Sequence, residues 1–309
     1  MATFTTEPMI DSVGLPPGFV GRAATMNDVT AVTELIAACE IANDGAIEID
    51  ASDVVQSLSS AEGPEDAIVI EDGRRIVAWA TIHGERTDAD VHPDCGGRGI
   101  GAALLAWSEE RARAAGRPRV RQTVTDNDQA ARTLFAGKGY FAAHTSWILE
   151  MPLADAPPPV FVPAGITIRP YRDDDAADVH RVIDDAFSEW PGREPLGFED
   201  WVPHVLAHPA FSADLSRVAL DGDEVVGAAL AMDYAAADGW VQQLATRATH
   251  RHRGIARALL ASVFVAFHAQ GRRMVGLSTD SRTGALTLYQ RLGMRVRRSY
   301  TGWAKDLAV

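Results

Sequence analysis

The sequence predicts a mixed α+β fold built twice. Two tandem domains are expected, each a mostly antiparallel central sheet flanked by helices. Three observations carry that expectation. A ten-residue turn is written twice, "GGRGIGAALL" at Gly96–Leu105 and "RHRGIARALL" at Arg251–Leu260. Upstream of each stands an Asp-Gly pair between apolar or alternating runs, Asp72-Gly73 and Asp221-Gly222, which is the pattern of a hairpin. At the midpoint, "MPLADAPPPVFVPAG" (Met151–Gly165) is rich in proline and lacks helical periodicity, as a linker does.

The elements follow in the same order in both halves. "GRAATMNDVTAVTELIAACE" and "IRPYRDDDAADVHRVIDDAF" each read as a short strand ending at an arginine, an acidic turn and an amphipathic helix. The hairpins "AIVIEDGRRIVAWA" and "RVALDGDEVVGAAL" come next, then the glycine-arginine turns and their helices. "RVRQTVTD" and "RMVGLSTD" read as buried strands. Each half closes with a helix, "DQAARTLFAGKGY" or "TGALTLYQRLGM", and a last strand. The offset is 155 residues at Gly99/Gly254 and 154 at Gly139/Gly293, a domain-sized internal duplication. The expected division is 1–150, a linker over 151–165, and 166–309.

Composition narrows the function. With 309 residues the chain is long enough for two domains. Its 47% hydrophobic and 23% charged residues are those of a globular protein. No apolar run reaches the ~18 residues of a membrane span, and "MATFTTEPMIDSVGL" is not patterned as a signal peptide. The two cysteines, Cys39 and Cys95, suit a reducing compartment. A cytoplasmic protein is expected, and the arginine- and alanine-rich composition suggests a bacterial one. The formal charge of −13 argues against nucleic acid as a partner and favours a cationic substrate.

A strand entering a helix through such a turn leaves the first backbone amides of the helix free, and the helix dipole adds positive potential. The result is an anion site suited to phosphate; glycine serving only close helix–strand packing is the plainer alternative. Neither turn has the lysine of a P-loop. "GRGIGA" (Gly97–Ala102), with Asp126 downstream, satisfies a dinucleotide fingerprint. In the second copy His252 stands in place of Gly97, so the tight first turn is expected to be lost there. Each turn also follows a hairpin instead of opening a βαβ unit.

Arg251-His252-Arg253-Gly254-Ile255-Ala256 matches [QR]-x-x-G-x-[GA], and Ala285, Leu288, Tyr289, Gly293 and Met294 match A-x-x-L-Y-x-x-x-G-[FM]. In these motifs, and in the order of elements across about Phe19–Glu150 and Ile166–Leu307, the sequence resembles the GNAT superfamily of acyl-CoA-dependent N-acyltransferases. The tandem layout resembles its mycothiol synthase branch. That resemblance implies acetyl-CoA as cofactor, no metal, and a small-molecule amine as acceptor, attacked directly in a ternary complex. The coenzyme A diphosphate would lie on the amides of Arg251, His252, Arg253, Gly254, Ile255 and Ala256. The pantetheine arm would line the strand at Leu244, Ala245 and Thr246, with the amide near Leu244 as oxyanion donor. Tyr289 would protonate the leaving thiolate; by spacing alone it reads as a core residue beside Leu286 and Leu292, and the family match reverses that reading.

The resemblance implies a matching cradle in the first half at Val91, Gly96, Gly97, Arg98, Gly99, Ile100 and Gly101. There Gly96 replaces the arginine and Phe135 replaces the tyrosine, so this copy is expected to be degenerate in catalysis. Acceptor contacts are expected from Glu189 and Trp190 in "AFSEWPGREPLGFEDWVPHVL", and a proton relay from Asp233 or Asp238. Mycothiol synthase-like proteins carry a glutamate on the fourth strand where this chain has Trp240. Acetylation of a cysteinyl pseudodisaccharide therefore stands as an alternative, as does a non-catalytic acyl-CoA-binding module. The chain is expected to act as a monomer or homodimer.

Overall fold

The computed structural model describes residues 14–153, 157–190, 193–234 and 238–308. The chain forms two compact units, Met1–Thr145 with Tyr300–Val309, and Ser146–Ser299. These are not the two halves of the sequence: each unit closes its sheet with the other half's terminal segment.

In the first unit the sheet runs β1 (Val20–Ala23), β2 (Ala67–Glu71), β3 (Ile76–His83), β4 (Arg86–Val91), β5 (Arg119–Thr125), then the end of β12 (Arg295–Asp306). All pairings are antiparallel except β4 with β5, which meet in parallel at the single pair Arg86↔Arg121. Helices α1 (Val29–Asp44) and α2 (Ala51–Ser59) cover one face, where Val32, Leu35 and Val54 pack on Val69 and Trp79. Helix α3 (Ile100–Ala114) packs on the other through Ile100, Leu104 and Trp107, with α4 (Gln129–Gly137) beside it through Phe135. Trp303 and Leu307, from the far end of the chain, complete that second core.

In the second unit the order is β7 (Ile166–Pro170), β8 (Phe211–Asp221), β9 (Glu224–Asp233), β10 (Asp238–Thr246), β11 (Met274–Asp280), then the end of β6 (Phe141–Pro152). Helices α5 (Ala176–Phe187) and α6 (Phe198–His204) cover one face, and α7 (Ile255–Ala269) and α8 (Leu286–Arg291) the other. Strand β9 is buried on both faces, which explains its unbroken apolar run. Residues Ser146–Pro152 pair with β11, so the proline-rich stretch begins inside a strand, which ends at Pro152.

Both Asp-Gly pairs close hairpins, β2 to β3 and β8 to β9. In the first, the Asp72 carboxylate accepts from the amides of Arg74 and Arg75. A second repeated device ties each first strand to the helix after it. Arg22 grips Asp28 with two hydrogen bonds, and Arg169 grips Asp175 with two of 2.7 Å. Burial works to raise the Asp175 carboxyl, but hydrogen bonds from Arg169 and the Arg172 amide outweigh it and hold it below the usual range. Before α8, which begins at Leu286, the Asp280 carboxylate accepts from the Arg282 amide and pairs with the Arg282 guanidinium. Among the described residues, no helix is long and apolar enough to cross a membrane.

One carboxylate on β4 is held against its preference. Burial raises the Asp90 carboxyl to about 6, only partly countered by the Trp79 indole N–H at 2.9 Å, and Asp88, Glu40 and Asp128 add repulsion. Asparagine keeps the acceptor for Trp79 without the charge. Asp90→Asn is therefore expected to stabilise the protein at pH 8 by at most about 3 kcal/mol, an upper bound because the side chain keeps some contact with water. The raised group lowers stability as pH rises through about 6, so the gain should vanish below about pH 4; denaturation of both proteins across this range checks it. Ending the chain after Ser299 should cost several kcal/mol, through a lost strand and lost Trp303 and Leu307 burial. Hydrogen exchange should then lose protection in β5 and α3 while β8–β10 keep theirs.

Candidate active site

The site in the second unit begins where two strands part. Strands β10 and β11 pair in parallel from Asp238↔Met274 to Trp240↔Gly276 and no further. Trp240 lies over Gly276, where a Cβ would stand 2.8 Å from its ring, so only glycine there admits the indole. A bulge follows between Val241 and Gln243, which bends the strand. Beyond it β10 keeps its pairing to β9, and the Arg247 amide donates to the Val226 carbonyl. By strand alternation the backbone groups of Leu244 and Thr246 then point away from β9, into the gap. The Thr246 carbonyl accepts from Arg251 Nε at 3.2 Å, while the buried Thr246 hydroxyl has no partner.

The strand runs into the glycine-arginine turn. Gly254 has φ 86°, and the first helical bond runs from Ala258 to Gly254, so the preceding amides of the turn face outward. His252 has φ 62°. The tight turn is thus retained in the second copy, contrary to the expectation from the loss of glycine: His252 takes the left-handed conformation that Gly97 takes at φ 72°. Such a conformation is strained for a residue with a Cβ, by ~1–2 kcal/mol.

Three of the surrounding arginines are already paired. Arg251 makes two hydrogen bonds to Glu189, at 2.7 and 2.9 Å. Arg253 pairs with Asp221 and Arg247 with Glu224. Glu189 was expected to face an acceptor and instead ties the loop after α5 to the turn. Trp190 stacks on Phe187 at 4.5 Å. Asp233 pairs with Arg272 at 2.7 Å and lies at the closed end of the strands. The backbone of Asp238 pairs with Met274 at that same end; its side chain lies outside the described residues.

Tyr289 comes from α8 into the core cluster that Leu244 also packs against. Burial pushes its hydroxyl up to about 12, partly offset by a hydrogen bond with Thr279, so it keeps its proton across the physiological range. Gln243, at the bulge, accepts from the Trp201 indole at 3.0 Å. Neither Gln243 nor Thr279 was singled out from the sequence. The two adjacent glutamines in "WVQQLAT" are the only local sign of the bulge.

The first unit repeats the turn, with Gly97 and Gly99 at φ 72° and 93°, and its strands β4 and β5 also part. Here side chains close the gap. The His92 amide donates to Val77, so the carbonyls of Ala89 and Val91 face the opening. Gln122 Nε2 donates to Ala89 at 3.2 Å and Cys39 Sγ to Val91 at 3.3 Å. In the second unit the matching residues are Leu277 and Ala186, which have no donor. Phe135, in place of Tyr289, packs edge-on to Tyr140 and stacks on Trp303.

Comparison with known proteins agrees with this geometry. The family model described as "Acetyltransferase (GNAT) family" matches residues 31–140, and the one described as "Acetyltransferase (GNAT) domain" matches 213–295. A mycothiol acetyltransferase of Nocardioides sp. is 32% identical over 206 residues, 64% of this chain and 66% of that protein, just under two thirds of its length. One from Thermobispora bispora is 26% identical over 260 residues, 79% and 84% of the two chains. A GCN5-related N-acetyltransferase from Sphaerobacter thermophilus superposes with a TM-score of 0.80 at 29% identity, covering 96% of this chain and 98% of its own. A tandem GNAT protein from the clavulanic acid pathway shares the fold, with a TM-score of 0.68 at 19% identity over 94% and 99%. With a family match in each unit, and the Sphaerobacter thermophilus acetyltransferase superposing over nearly its whole length, the chain belongs to the GNAT family of acetyltransferases, as a tandem of two such domains resembling the mycothiol acetyltransferases.

Proposed function

We propose that the second unit transfers the acetyl group of acetyl-CoA to the primary amine of a small molecule, by direct attack in a ternary complex. The observation that carries this reading is the edge of β10, where the backbone of Leu244 faces the gap and Leu277, in the place of Gln122, offers it no donor. An extended pantetheine arm adds to such an edge as a strand does. The orphaned Thr246 hydroxyl gives it a further polar partner, and the outward amides from His252 to Ala256 suit a diphosphate, that of Arg251 being bonded to the Ala248 carbonyl.

In this reading the Leu244 amide donates to the thioester oxygen as charge develops there. Tyr289 holds the proton that the leaving sulfur takes. Gln243, held by Trp201, lines the bulge on the acceptor side. The formal charge of −13 favours a cationic acceptor. The mycothiol acetyltransferase relatives favour, as a second reading, a cysteinyl pseudodisaccharide acceptor; Trp240 in place of that branch's glutamate weighs against it.

The first unit supports a different role. Its turn at Gly96, Gly97, Arg98, Gly99, Ile100 and Gly101 has the shape of a phosphate cradle. Its strand edge, from Ala89 to Val91, is already bonded by Gln122 and Cys39. We infer that it does not take the acyl arm and serves to support the fold.

Acetyl-CoA offered with a panel of amines, the cysteinyl pseudodisaccharide included, should release free thiol beyond hydrolysis with at least one acceptor. No release across a broad panel would favour an acyl-CoA-binding module. Tyr289→Phe is expected to lower kcat by about 10²-fold or more, with the KM for acetyl-CoA within about twofold; unchanged turnover would dismiss the acid role. Calorimetry with acetyl-CoA should find one site per chain, and two sites would show that the first unit opens its edge.

A further inference from the structure

We infer that Thr279 and Thr283 form a hydroxyl relay that replaces the proton Tyr289 gives to the leaving sulfur, an inference that rests on the acid role proposed for that tyrosine. Tyr289 is buried in the core of the second unit. An acyl arm in the strand gap would cover its hydroxyl on that side. The hydroxyl bonds to Thr279, near the end of β11. Thr279 Oγ1 lies 2.9 Å from Thr283 Oγ1, in the loop between β11 and α8. Thr283 sits between the exposed Arg282 and Gly284, so the three hydroxyls lead from the buried phenol to the surface.

A hydroxyl has one proton to give and two lone pairs with which to accept. Thr283 accepts from the Ala285 amide at 3.1 Å and donates to the Asp280 carbonyl at 2.8 Å. Its proton is thus engaged, so at rest Thr279 donates to Thr283 and Tyr289 donates to Thr279. The transfer reverses this order. As the sulfur takes the Tyr289 proton, the phenolate takes that of Thr279, Thr279 takes that of Thr283, and Thr283 takes one from water or a buffer acid. Each O–H bond broken in the relay is replaced by one formed, and solvent recovers the proton that the acceptor ammonium sheds. The first unit lacks both members of the inner contact. Counted from Leu277 and Gln122, Val124 stands in the place of Thr279, and it packs in the same core as Phe135, which replaces Tyr289. Only the unit that keeps the phenol keeps a hydroxyl beside it.

The test is thiol release by the full chain with acetyl-CoA and an amine that supports turnover. Thr279→Val, which keeps the branched shape, should lower kcat about tenfold, the scale of one hydrogen bond to a developing charge, with the KM for acetyl-CoA within about twofold. Thr279→Ser should recover most of that loss. In a Tyr289→Phe background Thr279→Val should cost nothing further, because no phenolate forms there to be supplied. A fall of the same size in both backgrounds, or wild-type kcat in Thr279→Val, would overturn the relay and leave the acid role standing. If the valine variant does not fold, the wild type decides. Its single-turnover thiol release in mixtures of light and heavy water should fall along a curve, because several protons move, and a straight line would overturn the relay. If Tyr289→Phe turns over like wild type, or no amine supports turnover, the acid reading has failed and the relay with it.

Discussion

A strand that leaves its neighbour exposes backbone groups that need new partners. The rest of this molecule is arranged around that constraint. In the second unit Trp240, seated over Gly276, marks the last paired residue, and the bulge at Val241–Gln243 turns the strand aside. The groups proposed for acyl transfer lie about the gap that results: the Leu244 backbone, the Tyr289 hydroxyl and the amides of the turn. The first unit meets the same constraint with Gln122 and Cys39, which bond the two carbonyls that face its gap. In the second unit Arg251 bonds the Thr246 carbonyl, the counterpart of Val91, but Leu277 stands in the place of Gln122, so the two units differ at the edge residue Leu244 and its counterpart Ala89.

Electrostatics follows the same economy. In an acidic chain, an arginine cluster would be expected to supply the positive potential of an anion site. Three of the four arginines near the turn are instead matched by Glu224, Glu189 and Asp221. What remains is carried by the oriented amides of the turn, strained at His252, and by Arg257. The pairing of Glu189 with Arg251 also fixes the loop after α5, which borders the acceptor side. The turn and the loop after α5 are thus joined by one ion pair.

The two units keep alike what folding requires and differ in what chemistry requires. The Arg22–Asp28 and Arg169–Asp175 pairs, the hairpins and the left-handed residues of the turns recur in both. Tyr289 against Phe135 and Leu277 against Gln122 do not. The first group is set by local backbone geometry, which a duplicate cannot lose without unfolding. The second group lies where a ligand is proposed to bind, and such positions can drift once one site suffices.

The sequence alone determined what depends on neighbours along the chain. Asp-Gly turns, apolar periodicity and the glycine-arginine decapeptide bias the backbone within a few residues, so the elements, their order and the duplication were legible. The position of Tyr289 in its helix was legible for the same reason. Tertiary structure alone decided what depends on residues far apart in sequence. Glu189 reaches Arg251 across 62 residues, and Gln122 reaches the Ala89 carbonyl across 33. The linker comes to rest beside the turn of α7, and Tyr300–Val309 joins the first unit instead of the second. His252 is the clearest case: its side chain disfavours the conformation it adopts, and local preference argued that the turn was lost. The packed strand and helix on either side hold it there at a cost of ~1–2 kcal/mol, which no reading of the decapeptide by itself could weigh.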